Sequence, residues 1–168
     1  MGIDGAGAMI RPLALADFDS VLALVNEPDI RGPLIGSPSF EAVRLQTWLQ
    51  NSAKDFASGD VGLFGILDDA HALIGLAGFL SLDATRPGRR YLVYAIRSEF
   101  RGRGAATSAC RSALERAKAS GLATVFATVD RENQRSKRVL VKLGFERVGM
   151  TIAENGELVL YELHLDRF

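Results

Sequence analysis

The chain has 168 residues, 48% of them apolar, with 20 Lys and Arg against 20 Asp and Glu. That length fits one domain with a real core, and the balanced charge argues against a general nucleic-acid binder, which carries a basic excess. One cysteine, Cys110, and two distant histidines, His71 and His164, exclude an internal disulfide and leave no ligand spacing for a metal.

The leader MGIDGAGA has no basic stretch and no apolar run, so it does not read as a secretion signal. Ala6 stands where a myristoylation motif needs Ser or Thr, and no apolar run approaches the roughly 20 residues that span a bilayer. The expectation is a cytoplasmic protein without membrane association, a loose segment over 1–8 and a single domain over 9–168.

MIRPLAL reads as a first strand. In ADFDSVLALVNE, Phe18, Val21, Leu22 and Val25 recur at helical spacing behind Asp17 as N-cap. PDIRGPLIGSP, with three prolines and two glycines, reads as a loop. SFEAVRLQTWLQNSAKDF reads as a second helix with Ser39 as N-cap. VGLFGIL, ALIGLAGFLSL and RRYLVYAIRS are apolar runs joined by short connections. Such connections cannot cross over, so these are consecutive antiparallel strands.

A helix follows SEF and runs to Ser120, with Ala106, Ala109, Cys110, Ala113, Leu114 and Ala117 as its apolar stripe and Gly121 as its stop. TVFATVD is a strand. NQRSKRVLVKLG is a helix closed by Gly144. FERVGMTIAE and ELVLYELHLD form a hairpin around Asn155-Gly156. The order β-α-α-β-β-β-α-β-α-β-β implies an α/β (α+β) fold on a mixed sheet, antiparallel early, with a right-handed β-α-β crossover in its second half.

The stretch SEFRGRGAATSAC opens a helix without Ser, Thr, Asp or Asn at its start, the residues that cap free amides well. A helix N-terminus is an anion site. Gly102 and Gly104 remove Cβ atoms from its approach, Ala105 and Ala106 continue the clearance, and Arg101 and Arg103 add donors suited to phosphate. A glycine-rich loop solvated by water is the plain alternative. A Walker A loop needs Gly-Lys-Ser/Thr, which is absent. A Rossmann fingerprint wants a glycine at Thr107 and an early strand; Asp130 closes the next strand as a ribose-binding acid would, but about a hundred residues of other elements come first.

Asn133 and Ser136 open the next helix, and Gly144-Phe145 ends it. With Arg101, Gly104 and Ala106, these residues carry a resemblance to the Gcn5-related N-acetyltransferases (GNAT), whose cofactor motif is Arg/Gln-x-x-Gly-x-Gly/Ala and whose later motif is Asn-x-x-Ser/Ala followed by Gly-Phe. The resemblance spans Met9 to Leu165. EPDIRGPLIGSPSFEAVRLQTWLQ is similar to the Rim-type branch, which acetylates N-terminal amines of ribosomal proteins.

The resemblance implies the GNAT fold, with acetyl-CoA lying in a cleft where YLVYAI and TVFATV splay apart. Its pantetheine arm would run beside Tyr94, Ala95 and Ile96. Its pyrophosphate would sit on the amides of residues 101–106 (Arg101, Gly102, Arg103, Gly104, Ala105, Ala106), and Asn133 would bond the arm or the strand beside it. A neutral amine would attack the thioester, with the Ile96 N–H as oxyanion donor. The family's tyrosine proton donor falls on Leu140, so Ser136 takes that role by the resemblance; bonding its own backbone is the alternative for a helix-start serine. The family's strand glutamate falls on Tyr91. Glu99, Glu154 and Glu157 are the nearby acids, each also readable as a solvated surface residue. The implied partner is a primary amine, on a small molecule or a protein N-terminus, and the last hairpin offers a face to a second copy. A non-catalytic acyl-CoA sensor on the same fold is the other reading.

Overall fold

Seven strands and five α-helices alternate in the computed structural model, which describes residues 8–35, 41–153 and 156–168, the side chains of 32–35 excepted. They are β1 (Met9–Pro12), α1 (Phe18–Val25), α2 (Pro28–Ile35), α3 (Ala42–Ala57), β2 (Leu63–Leu67), β3 (Leu73–Leu80), β4 (Tyr91–Ile96), α4 (Ala105–Ala119), β5 (Thr124–Asp130), α5 (Gln134–Lys142), β6 (Glu146–Ala153) and β7 (Gly156–His164). They form one sheet in the order β1-β2-β3-β4-β5-β7-β6. Neighbours pair antiparallel except β4 and β5, which are parallel across the α4 crossover. The expected mixed sheet is present.

The two faces of the sheet are covered unequally. Leu24, Val25, Ile30, Leu45 and Leu49 from α1–α3 pack with Leu63, Leu76 and Leu80 on one face. On the other, Ala109, Cys110, Leu114 and Leu140 from α4 and α5 pack with Phe64, Phe79, Val125 and Tyr161. β2 and β3 are therefore buried almost throughout and read as continuous apolar runs. β5 and β7 alternate buried and half-exposed residues, because one of their faces is left open.

One segment departs from expectation. PDIRGPLI is the helix α2, not a loop. Pro28 takes its first position, where a missing N–H costs nothing, and Asp29 follows in the first turn; both are helix-start signals. Gly32 and Pro33 disguised them. Asp17 does precede α1, but its carboxylate accepts from the Ala14 amide at 2.8 Å and from Arg11 rather than from α1. α3 begins after Glu41; Ser39 and Asn155 lie outside the described residues. Ala8, expected to be loose, is buried, and its amide donates to Ser108 Oγ at 3.0 Å. Among the described residues no helix is long and apolar enough to cross a membrane.

Candidate active site

β3 and β4 pair continuously from Leu80↔Tyr91 to Gly75↔Ile96. β4 and β5 share only the register pair Tyr91↔Phe126, closed by a bond from the Phe126 amide to the Arg90 carbonyl at 2.9 Å. Beyond it the strands part around a cleft of about 710 Å³. Arg97 donates its amide to Ile74 at 2.9 Å. In the alternating antiparallel pattern, Ile96 therefore turns its N–H and C=O away from β3, toward the gap.

One end of the cleft is the start of α4. Gly104 holds the N-cap position at φ 78°, Gly102 lies at φ 76°, and no side chain caps the helix. The first helical bond runs from the Ser108 amide to the Gly104 carbonyl at 2.9 Å. The amides of Ala105, Ala106 and Thr107 lie ahead of it, without helical acceptors. A Cβ on Gly102 or Gly104 would meet no atom within 4 Å. What calls for glycine here is thus the left-handed backbone, which disfavours any other L-residue, and not clearance alone.

α5 forms another wall. Asn133 caps it, its Oδ1 accepting from the Ser136 amide at 3.1 Å. Tyr94 reaches across from β4 and donates its hydroxyl to the Ser136 carbonyl at 3.1 Å. Burial pushes the Tyr94 phenol well above its usual range, and the Ser136 bond offsets only part of this. These two hydrogen bonds at Ser136 run through its main chain. α5 ends where the Phe145 amide bonds the Leu140 carbonyl and the Gly144 amide bonds Val141, with Gly144 at φ 90°, the Schellman arrangement.

Tyr94, Ala95, Ile96, Arg101, Ala106, Asn133 and Ser136 all line the cleft. Gly102, Arg103 and Gly104 sit on the exposed approach to α4, and Ala105 is buried in the core behind it. Arg101 is engaged inside the protein. Its Nη1 lies 2.8 Å from Asp29 Oδ2, its Nε donates to the Ile96 carbonyl at 2.9 Å, and its amide donates to Ser98 at 3.2 Å. Leu140 is fully buried, and Tyr91 is buried against the Phe126 ring. Glu99 and Glu157 are exposed; Glu154 lies outside the described residues. The cleft also includes Asp29 and Ile30, from the segment expected to shape the acceptor pocket, and Thr128 of TVFATV, together with Leu82, Asp130 and Arg138, which sequence reasoning did not bring to the site. For Asp29 the start signals of α2 were the clue, and for Thr128 and Asp130 only strand alternation along β5 pointed at a face.

A family model described as "Acetyltransferase (GNAT) domain" matches residues 8–146. No curated protein matches the chain. Among solved structures, an N-acetyltransferase from Staphylococcus aureus Mu50 superposes with a TM-score of 0.78 at 22% identity, over 95% of this chain and 99% of its own. A ribosomal-protein-S5-alanine acetyltransferase from Vibrio fischeri gives 0.76 at 17% identity, over 99% and 97%. A spermidine N-acetyltransferase from Vibrio cholerae, in complex with CoA and spermine, gives 0.75 at 18%, over 95% and 96%. These likenesses are of fold; the family match covers most of the sequence and runs through β4, the glycine-started α4 and the capped α5, so the chain belongs to the GNAT acetyltransferase family.

Proposed function

We propose that the protein is an acetyl-CoA-dependent N-acetyltransferase that acts on a primary amine by direct attack. The observation that carries this reading is the parting of β4 from β5 after one residue pair, beside an α4 N-terminus that no side chain caps. A diphosphate suits free amides at a positive helix end, and an extended pantetheine arm suits a strand edge without a partner. When bound, acetyl-CoA supplies a thioester carbonyl for attack by a neutral amine.

The residues then divide the work. The amides of residues 102–107 hold the diphosphate, with Arg103 free to add charge. Tyr94, Ala95 and Ile96 line the arm, and the Ile96 N–H stabilises charge developing on the carbonyl oxygen. Ser136 would give its hydroxyl proton to the leaving sulfur and take back the one the attacking nitrogen releases. Asn133 and Tyr94 hold Ser136 in place through its amide and carbonyl. No strong base faces the cleft from Tyr91, so acceptors with weakly basic amines are favoured. An α-amine titrates near 7.7–8.0 against about 10.4 for lysine. This agrees with the Rim-type branch and with acceptors that are protein N-termini or small amines.

Calorimetry with CoA and a thiol-release assay over a panel of amines test the reading. The expected results are CoA binding and faster turnover of an alanine-started peptide than of its lysine counterpart; absence of heat with CoA defeats it. Ser136→Ala is expected to lower kcat at least about tenfold, as loss of a proton donor does, with CoA affinity unchanged. An unchanged kcat would leave Ser136 a helix-start residue. Leucine at position 140 and tyrosine at position 91, where the resemblance puts a tyrosine proton donor and a glutamate, favour a second reading, a non-catalytic acyl-CoA sensor, whose signature is tight CoA binding with no turnover on any amine.

The proposal includes a homodimer through β6, an edge strand whose Val148, Met150 and Ile152 are exposed. Sedimentation velocity is expected to give a dimer and Ile152→Lys a monomer.

A further inference from the structure

α2 is a poor helix by its own chemistry. Gly32 and Pro33 lie in its middle, the two least favourable residues for a helix interior. Pro33 also has no N–H for the carbonyl of Asp29. That carbonyl is met from outside, by Arg101 Nη2 at 3.4 Å, while Arg101 Nη1 holds the Asp29 carboxylate at 2.8 Å. One step back, the Glu27 carbonyl accepts the amides of Ile30 and Arg31, and its carboxylate lies 3.0 Å from Arg97 Nε. Two arginines on the β4–α4 connection thus grip two carboxylates at the start of α2, where negative charge already suits the helix dipole.

α2 in turn shapes the cleft. Asp29 and Ile30 line it with Leu82, Val93 and Ala95, on the side of the sheet carrying α1–α3. Ser136 and Val139 line it from the α5 side. For Arg101 to ligate a phosphate, its guanidinium would have to leave Asp29 and the Ile96 carbonyl and release α2. The amides at the start of α4 and the exposed Arg103 require no such exchange.

We infer that Arg101 is a positioning residue: through Asp29 it holds α2 as the acceptor-side wall of the cleft, and it takes no phosphate. The word acceptor rests on the acetyltransferase reading; the clamp itself does not.

The test compares the full-length protein with Arg101→Gln, Asp29→Asn, the double variant and Arg101→Lys. Hydrogen exchange over residues 28–35 is expected to speed up about tenfold in each of the two single variants, the factor that 1.4 kcal/mol makes. It should rise no further in the double and recover partly in Arg101→Lys, which keeps the charge facing Asp29. Calorimetric CoA affinity should stay within about twofold of wild type, and the KM of the best amine should rise while that of acetyl-CoA holds. A tenfold loss of CoA affinity in Arg101→Gln but not in Asp29→Asn would overturn the inference, as would unchanged exchange in α2. If the wild-type protein bound no CoA, the functional reading would fail, and the exchange data alone would decide the clamp.

Discussion

Arg101 shows how little a side chain's chemistry says about its partner. An arginine beside two glycines at a helix start has the donors for a phosphate. Its carboxylate is 72 positions away on α2, and only folding brings the two together. Asn133 was more legible as the residue that opens α5, because capping acts over three residues and its Oδ1 accepts from the Ser136 amide. Gly104 was legible as a glycine but not for its reason, a left-handed φ of 78° with empty space around a Cβ. Gly104→Ala is therefore expected to lower the unfolding free energy by about 1–2 kcal/mol, the cost of left-handed backbone for an L-residue. Urea titration measures this. CoA affinity should fall with it, because the relaxed backbone re-aims the amides of the first turn.

At the level of elements, segments with one period and clean ends were readable: α4 stops at Ala119, two residues before Gly121, and β5 spans the expected Thr124–Asp130. α2 was missed because Gly32 and Pro33 outweigh its start signals, and its stability comes from Ile30 in the core and from the arginine contacts. The α3–β2 junction was equally invisible. Ser52, 1% exposed, accepts the Leu63 amide on its Oγ at 2.7 Å and pins α3 to the start of β2. Ser52→Ala leaves a buried N–H without a partner, which costs about 1–3 kcal/mol. A lowered urea midpoint with an unchanged slope is the expected result, and an unchanged midpoint would mean the amide finds another acceptor.

For the whole molecule, two neutral acids, the buried Cys110 and the partly buried Tyr94, contribute to stability at alkaline pH. Burial raises the Cys110 thiol above its ordinary 9.0, and burial is also the largest cause raising the Tyr94 phenol above 10.0. Both groups hold their protons more tightly folded than unfolded. Their stabilising contribution is complete below the ordinary values and is lost as the pH climbs past them, because the unfolded chain then binds fewer protons. The urea midpoint is expected to fall from about pH 9 upward. Cys110→Ala should remove the earlier part of that fall and leave the part above about pH 10 that belongs to Tyr94. A wild-type midpoint flat to pH 11 would contradict the assignment.

Apart from α2, element types and order, most helix ends and the uncapped start of α4 follow from the residues themselves, because periodicity, capping and turn chemistry act over a few positions along the chain. The parting of β4 from β5, the pairing of Arg101 with Asp29 and the open face of β5 and β7 were decided by the tertiary structure. Each depends on where a distant segment comes to rest against the sheet, and no local pattern encodes that distance.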